Sequence, residues 1–152
     1  MINYKFLTLI LFLFLVGCGF NSSLNYSTNF SIENVISNGD KNINENILSN
    51  LVDYKNNSEE EKKYYLIINS VENRKVTSKD TKGNPKTFRI EIKTLIEVSD
   101  INNKVYKKEF IEKKNYNTMS SKFDLGLYEN NTKKDLAVII ARNISIYLNS
   151  LN

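Results

Sequence analysis

Residues 88–98 read Phe-Arg-Ile-Glu-Ile-Lys-Thr-Leu-Ile-Glu-Val. Phe88, Ile90, Ile92, Ile96 and Val98 alternate with Arg89, Glu91, Lys93 and Glu97, so one side of this stretch is apolar and the other charged. Successive side chains of a strand point to opposite faces, and a period of two therefore predicts a strand with one face on a core and one in water. Upstream, Tyr64 to Val76 is rich in aromatic and β-branched residues and predicts a second strand. Lys79 to Lys86, which contains Gly83-Asn84-Pro85, predicts the hairpin connection between the two. Downstream, Ile101-Asn102-Asn103-Lys104 is turn chemistry. Val105 to Tyr116 follows as a more polar strand whose lysines suit a sheet edge, where they discourage strand addition.

Farther out the period changes. Phe30, Ile32 and Val35-Ile36 predict a short first strand, and Asn38-Gly39-Asp40 a turn that offers a helix N-cap. Ile43, Ile47, Leu51 and Tyr54 recur at three to four residues, an apolar stripe on one helix face, with the helix expected to end near Asn56-Asn57. Glu59 to Lys63 is a charged, solvated loop. The stretch Asn117 to Leu127 has no clear period and reads as loop. Thr132-Lys133-Lys134-Asp135 resembles a capping box, after which Leu136, Ile140, Ile144, Tyr147 (or Leu148) and Leu151 mark a C-terminal amphipathic helix. The order β-α-β-β-β-α gives an α+β fold. Two apolar helix stripes need a partner, and a sheet face supplies it, so the expected architecture is a two-layer sandwich: a four-stranded, mostly antiparallel sheet with two helices on one face. Strand 1 is placed to pair parallel with a later strand through a right-handed crossover.

The alphabet excludes several function classes. The chain has 152 residues, no His, no Trp and a single Cys. One Cys excludes an internal disulfide, and without His it excludes the usual zinc sites. Neither a Ser-His-Asp nor a Cys-His set can be assembled. No metal, no cofactor and no enzymatic activity are expected.

The N-terminus reads as an address. After Asn3-Tyr4-Lys5, Phe6 to Val16 is apolar except for Thr8; eleven helical residues span about 16 Å, too short to cross a bilayer but suited to a secretory signal. Leu15-Val16-Gly17-Cys18 then resembles the lipobox of bacterial lipoproteins. That resemblance implies cleavage before Cys18 and acylation of it, and two or more acyl chains hold a protein durably to a membrane. Residues 1–17 are accordingly a lipoprotein signal peptide. Residues 18–29 are the acylated Cys and a polar, flexible tether, and 30–152 form one domain. Gly19 stands where Asp would resemble an inner-membrane retention signal, which implies the periplasmic face of the outer membrane.

Cys18-Gly19-Phe20, followed by β-α, a long hairpin and a C-terminal helix, resembles the LPS-assembly lipoprotein family LptE. Phe123, Tyr128-Glu129-Asn130 and Asp135-Leu136-Ala137, continued by Ala141 and Leu148, match that family's pattern near its end; the Pro that often follows the aromatic residue at its start is missing here. The resemblance implies a plug for the LptD β-barrel that helps deliver lipopolysaccharide to the outer leaflet. The other reading is an auxiliary lipoprotein of a lipid-transporting ABC system, with the same anchor, size and layout.

Charge supplies the candidate site. Residues 18–62 carry three basic and seven acidic side chains, whereas 72–93 carry seven basic and three acidic. The basic set is Arg74, Lys75, Lys79, Lys82, Lys86, Arg89 and Lys93. Such a cluster can hold phosphates or carboxylates, or can be the wet face of a strand. By resemblance, Lys82 beside Gly83-Asn84 occupies the family's lipopolysaccharide-binding hairpin tip, and Lys79 and Lys86 flank it. The family's second basic site falls on Leu127-Tyr128-Glu129-Asn130, which has no basic residue; Lys122 is a loose substitute. Nucleic acid is not an expected partner of an exported lipoprotein. Asp124, Glu129 and Asp135 are expected to flank a helix start and favour its dipole. Tyr64, Tyr65, Phe88, Tyr106 and Phe110 are expected in the sheet core or against a barrel wall.

Overall fold

The computed structural model describes residues 30–51 and 62–151. Along the chain these form β1 (Phe30–Gly39), α1 (Lys41–Ser49), β2 (Lys62–Lys79), β3 (Pro85–Asp100), β4 (Val105–Asn117) and α2 (Lys122–Ser150). The four strands make one sheet in the order β1-β2-β3-β4, with β1 parallel to β2 and the other pairs antiparallel. This is the expected α+β sandwich, with β4 at one edge and β1 at the other.

The alternation in β3 sorts its side chains as its pattern implies. Phe88, Ile90, Ile92, Thr94, Ile96 and Val98 are buried, while Lys93 and Leu95 are exposed. Tyr64, Leu66 and Ile68 of β2 lie on the same face, and both helices close over it. Ile43 and Ile47 of α1 join Leu136, Ile140, Ile144 and Leu148 of α2 in the one core. The opposite face carries Tyr65, Val71, Leu95 and Ile111, all partly exposed. No helix among the described residues covers it.

Both hairpin turns use one device. Asp80 accepts from the backbone N–H of Lys82 and Asn84, and Gly83 takes a φ of +85°. Asp100 accepts from the N–H of Asn102 and Lys104, with Asn103 at φ +60°. A short carboxylate that replaces backbone partners, plus one residue tolerant of the left-handed region, closes each turn tightly. Those amides also hold the Asp80 carboxyl below its ordinary range, the N–H of Asn84 foremost. At the β1-α1 junction Gly39 has φ +82°, and a Cβ there would lie 2.3 Å from the carbonyl oxygen of Ser70. Glycine is required because β1 must turn against β2, bringing the Asp40 N–H to that same carbonyl at 2.8 Å. Asp40 is the expected N-cap and accepts from the N–H of Ile43 at 3.0 Å.

Two helix boundaries differ from expectation. α1 ends at Ser49, not near Asn56-Asn57: Asn50 donates to the carbonyl of Ile47 and Leu51 to that of Leu48, tightening the last turn, and Leu51 drops into the core. Asn46, Ser49 and Asn50 side chains also bond back to carbonyls of the helix, the competition that makes Asn and Ser poor helix interiors. Tyr54, Asn56-Asn57 and Glu59-Glu60-Glu61 lie outside the described residues, as do the expected signal peptide, Cys18 and the expected tether.

The C-terminal helix starts ten residues before the expected capping box. Ser121 is its N-cap, accepting from the N–H of Asp124 at 3.2 Å, so most of the expected loop is helical. Thr132 is interior and only 1% exposed. Leu125 and Tyr128 pack on the core and hold the extra turns down, while Phe123 and Leu127 face solvent. Apolar residues on both sides of a helix leave no single stripe to read.

A glycine inside a helix costs about 0.5–1 kcal/mol relative to alanine. A Cβ at Gly126 would meet nothing within 4 Å. Gly126→Ala should therefore raise stability by about that amount in chemical denaturation. A neutral or destabilising result would mean that residues 122–131 are not helical.

Candidate functional site

The seven basic side chains of residues 72–93 separate into two groups. Arg74 is spent inside the fold. Its guanidinium lies 3.9 Å from the centre of the Phe88 ring, and its Nε donates to the Tyr116 hydroxyl at 3.0 Å and to Glu129 Oε1 at 2.9 Å. The Tyr116 hydroxyl donates to the same carboxylate oxygen at 2.6 Å. Arg89 Nε donates to Asn115 Oδ1 at 2.7 Å, and Lys93 lies 3.9 Å from Glu91. Lys75, Lys79, Lys82 and Lys86 form no ion pair among the described residues.

The hairpin geometry brings the three predicted lysines to one end. Lys79 closes β2, Lys82 lies in the turn and Lys86 is the second residue of β3; all are exposed. The one carboxylate among them, Asp80, is already saturated by backbone amides and the Asn84 side chain. Three exposed lysines thus sit in or beside a turn whose carboxylate is already hydrogen-bonded, a net positive tip able to hold phosphates or carboxylates through exposed contacts. Three of the four lysines of β4 are engaged instead. Lys107 pairs with Glu97 at 2.7 Å, Lys114 lies 3.9 Å from Asp135, and Lys108 lies over the Tyr147 ring.

The first turns of α2 add an apolar surface that charge counting missed. The chain leaves β4 with the Thr118 N–H donating to the carbonyl of Lys86 at 2.9 Å, then passes exposed Met119, Lys122, Phe123 and Leu127. Phe123 is 80% exposed. The four-residue spacing of Phe123 and Leu127 is the signal that could have placed them on one helix face.

The acidic candidates are structural, and two are not at a helix start. Asp124 is in the first turn of α2 as expected, but Asp135 sits mid-helix opposite Lys114, and Glu129 holds Arg74 and Tyr116. Tyr64 and Phe88 are core, Tyr106 and Phe110 are half-buried against it, and Tyr65 lies on the helix-free face.

Burial, with the Glu129 hydrogen bond second, pushes the Tyr116 phenol up to about 12. A proton held more tightly in the fold than in the unfolded chain stabilises the fold below the unfolded pKa, and that stability is lost as pH rises toward the folded value. Between pH 10 and 12 the protein should lose on the order of 2 kcal/mol through this group. Tyr116→Phe should flatten that slope in denaturation at stepped pH. An unchanged slope would show that Tyr116 ionises as freely in the fold as in solvent.

No family model matches the chain, and no curated protein sequence does. Solved structures do resemble it. Rare lipoprotein B from Shewanella oneidensis superposes with a TM-score of 0.60 at 11% identity, over 78% of this chain and 95% of that one. A minor lipoprotein from Acinetobacter baumannii gives a TM-score of 0.60 at 8% identity, over 80% and 92% of the two chains. Uncharacterized lipoprotein B from Nitrosomonas europaea gives 0.58 at 12% identity, over 76% and 80%. The chain therefore has a fold found in bacterial lipoproteins.

Proposed function

We propose that this chain is a lipid-anchored lipoprotein of the outer membrane, held through Cys18, that plugs an LptD-like β-barrel and assists lipopolysaccharide transport to the outer leaflet. Its role is binding and assembly, not catalysis. The observation that carries this reading is the unpaired lysine tip at the far end of the hairpin from the N-terminal tether. Phe30, where the tether enters, pairs with Lys62, the first residue of β2, whereas Lys79 is the last of its 18. At about 3.3 Å per residue the anchor side and the basic tip stand about 55 Å apart, more than the roughly 30 Å thickness of a bilayer's hydrocarbon core. A domain anchored at one end and basic at the other can meet the phosphorylated sugars of lipopolysaccharide inside a polar barrel lumen. The likeness to rare lipoprotein B in fold, the lipobox and the Cys18-Gly19-Phe20 start support the same assignment.

Two experiments test it. A photocrosslinker at Thr81 or Thr87, both on the hairpin, should capture an outer-membrane β-barrel in cells. Capture of an inner-membrane permease would favour the ABC-system reading instead. In vitro, Lys79→Glu, Lys82→Glu and Lys86→Glu together should weaken lipopolysaccharide binding at least about ten-fold while the melting temperature barely moves, because exposed charges contribute little to folding. Binding should also weaken as salt rises. The same triple change at Lys107, Lys108 and Lys113 should do less. Equal loss from both sets would mean diffuse attraction, and no loss from either would overturn the hairpin site.

A further inference from the structure

α1 is short and α2 is long. The Gly39 turn starts α1 beside Ser70, while α2 runs along the sheet past it, and the two helices wall a cleft between them with Glu72 of β2 at its base. The strand row leading to Glu72 changes character at that point. The inward row of β2 passes from Leu66 and Ile68 to Ser70, whose hydroxyl meets that of Thr94 at 2.9 Å, and then to Glu72. The cleft has a volume of about 350 Å³, at the lower end of the range for small-molecule sites.

Its walls are polar; Asp40 caps the Ile43 N–H and Glu45 lies 3.7 Å from Lys41, which leaves Asn42, Asn130 and Lys134 as the free groups. α1 contributes Asn42, Glu45 and Asn46, and α2 contributes Asn130, Lys133 and Lys134. Lys133 is locked to Glu72 at 2.8 Å. Asn46 donates to the carbonyl of Asn42, which leaves its amide oxygen, and the amides of Asn42 and Asn130 and the ammonium of Lys134 have no partner among the described residues. A cation would meet two lysines here, and an anion would meet Asp40, Glu45 and Glu72. An apolar ligand would strand every amide. A ligand dense in hydroxyls suits the set, because each hydroxyl both donates and accepts and the amides do the same. We propose that this cleft is a saccharide site for one or two uncharged sugar units. It is separate from the hairpin tip: Glu72 lies seven residues before Lys79, about 23 Å along β2. The proposal does not depend on the transport reading.

Saturation-transfer NMR on the full-length protein in a sugar-free detergent tests it, with maltotetraose and chitotetraose as probes. Transfer to at least one probe is expected and should persist at high salt, because the ligand is uncharged. Transfer to chitotetraose alone assigns the site to an N-acetylated glycan, and transfer to maltotetraose alone to a neutral hexose chain. Asn130→Leu with Lys134→Leu, both exposed on a helix that leucine favours, should cut transfer at least about five-fold, the loss expected for two missing hydrogen bonds. Lys79→Glu, Lys82→Glu and Lys86→Glu should leave it unchanged, which keeps a failure here distinct from a failure of the hairpin site. No transfer to either probe, or transfer undiminished in the α2 variant while circular dichroism is native, would overturn the assignment.

Discussion

The helix-facing row of the β2-β3 hairpin is the constraint on which the other elements depend. Leu66 stands opposite Val98 and Ile68 opposite Ile96, and all four are fully buried. Each buried aliphatic side chain of this size contributes roughly 1.5–3 kcal/mol, but only once something covers it. A two-stranded hairpin alone is marginal in water, and so is a nine-residue helix such as α1. Neither layer is stable without the other, which is why the Ile43-Ile47 face of α1 and the Leu136-Ile140-Ile144 face of α2 must arrive on the same side of the sheet. The parallel return of β1 follows. Its irregular register between Ile32 and Asn34 lets both Ile32 and Val35 face the core although they are three residues apart.

Beyond Ser70 the same row is continued by charge. Glu72 meets Lys133 and Arg74 meets Glu129, both partners arriving from α2. Partly exposed pairs of this kind add little net stability, yet they fix how the helix lies along the hairpin. The Arg74 site is the more specific of the two. Its guanidinium is confined by the Phe88 ring beneath it and by two acceptors beside it, and Phe88 in turn stacks on Tyr116 at 5.6 Å. These pairings decide where free charge is left. Glu72 and Glu129 are consumed internally and Asp80 closes a turn, so the tip lysines face no competing carboxylate.

What could be read locally was legible. The alternation of residues 88–98, the Asp40 cap and the two turns are properties of a few adjacent residues, and the structure keeps them. The helix start at Ser121 was hidden for a physical reason. Leu125 and Tyr128 turn inward while Phe123 and Leu127 turn outward, Gly126 interrupts them, and no apolar stripe survives. Thr132-Lys133-Lys134-Asp135 imitates a cap because a capping box is defined by four residues, whereas Thr132 is buried by the fold. The division of the basic cluster lay beyond sequence reach altogether. Arg74 finds its carboxylate 55 residues away, and the cleft between α1 and α2 is lined by residues about 90 positions apart in the sequence only because both helices share one face.

The tip and the core are mechanically separable, and this follows from the ladder. β1 runs parallel to β2 from Phe30 opposite Lys62 to Gly39 opposite Ser70, so it supports only the first half of β2. Past Ser70, β2 is held by β3 on one side and by the Glu72 and Arg74 pairings on its face. Arg74 is the last inward residue of β2 with a partner on a helix, and from Lys75 onward the strand is exposed. A pull on the N-terminal end of β1 at Phe30 would therefore load the β1-β2 hydrogen bonds in shear and reach the lysines only through the β2-β3 ladder. Changes in side-chain charge at the tip do not touch the row that holds the layers together. The lysine-bearing turn can thus vary in sequence while the Phe30 end of the sheet keeps its fold.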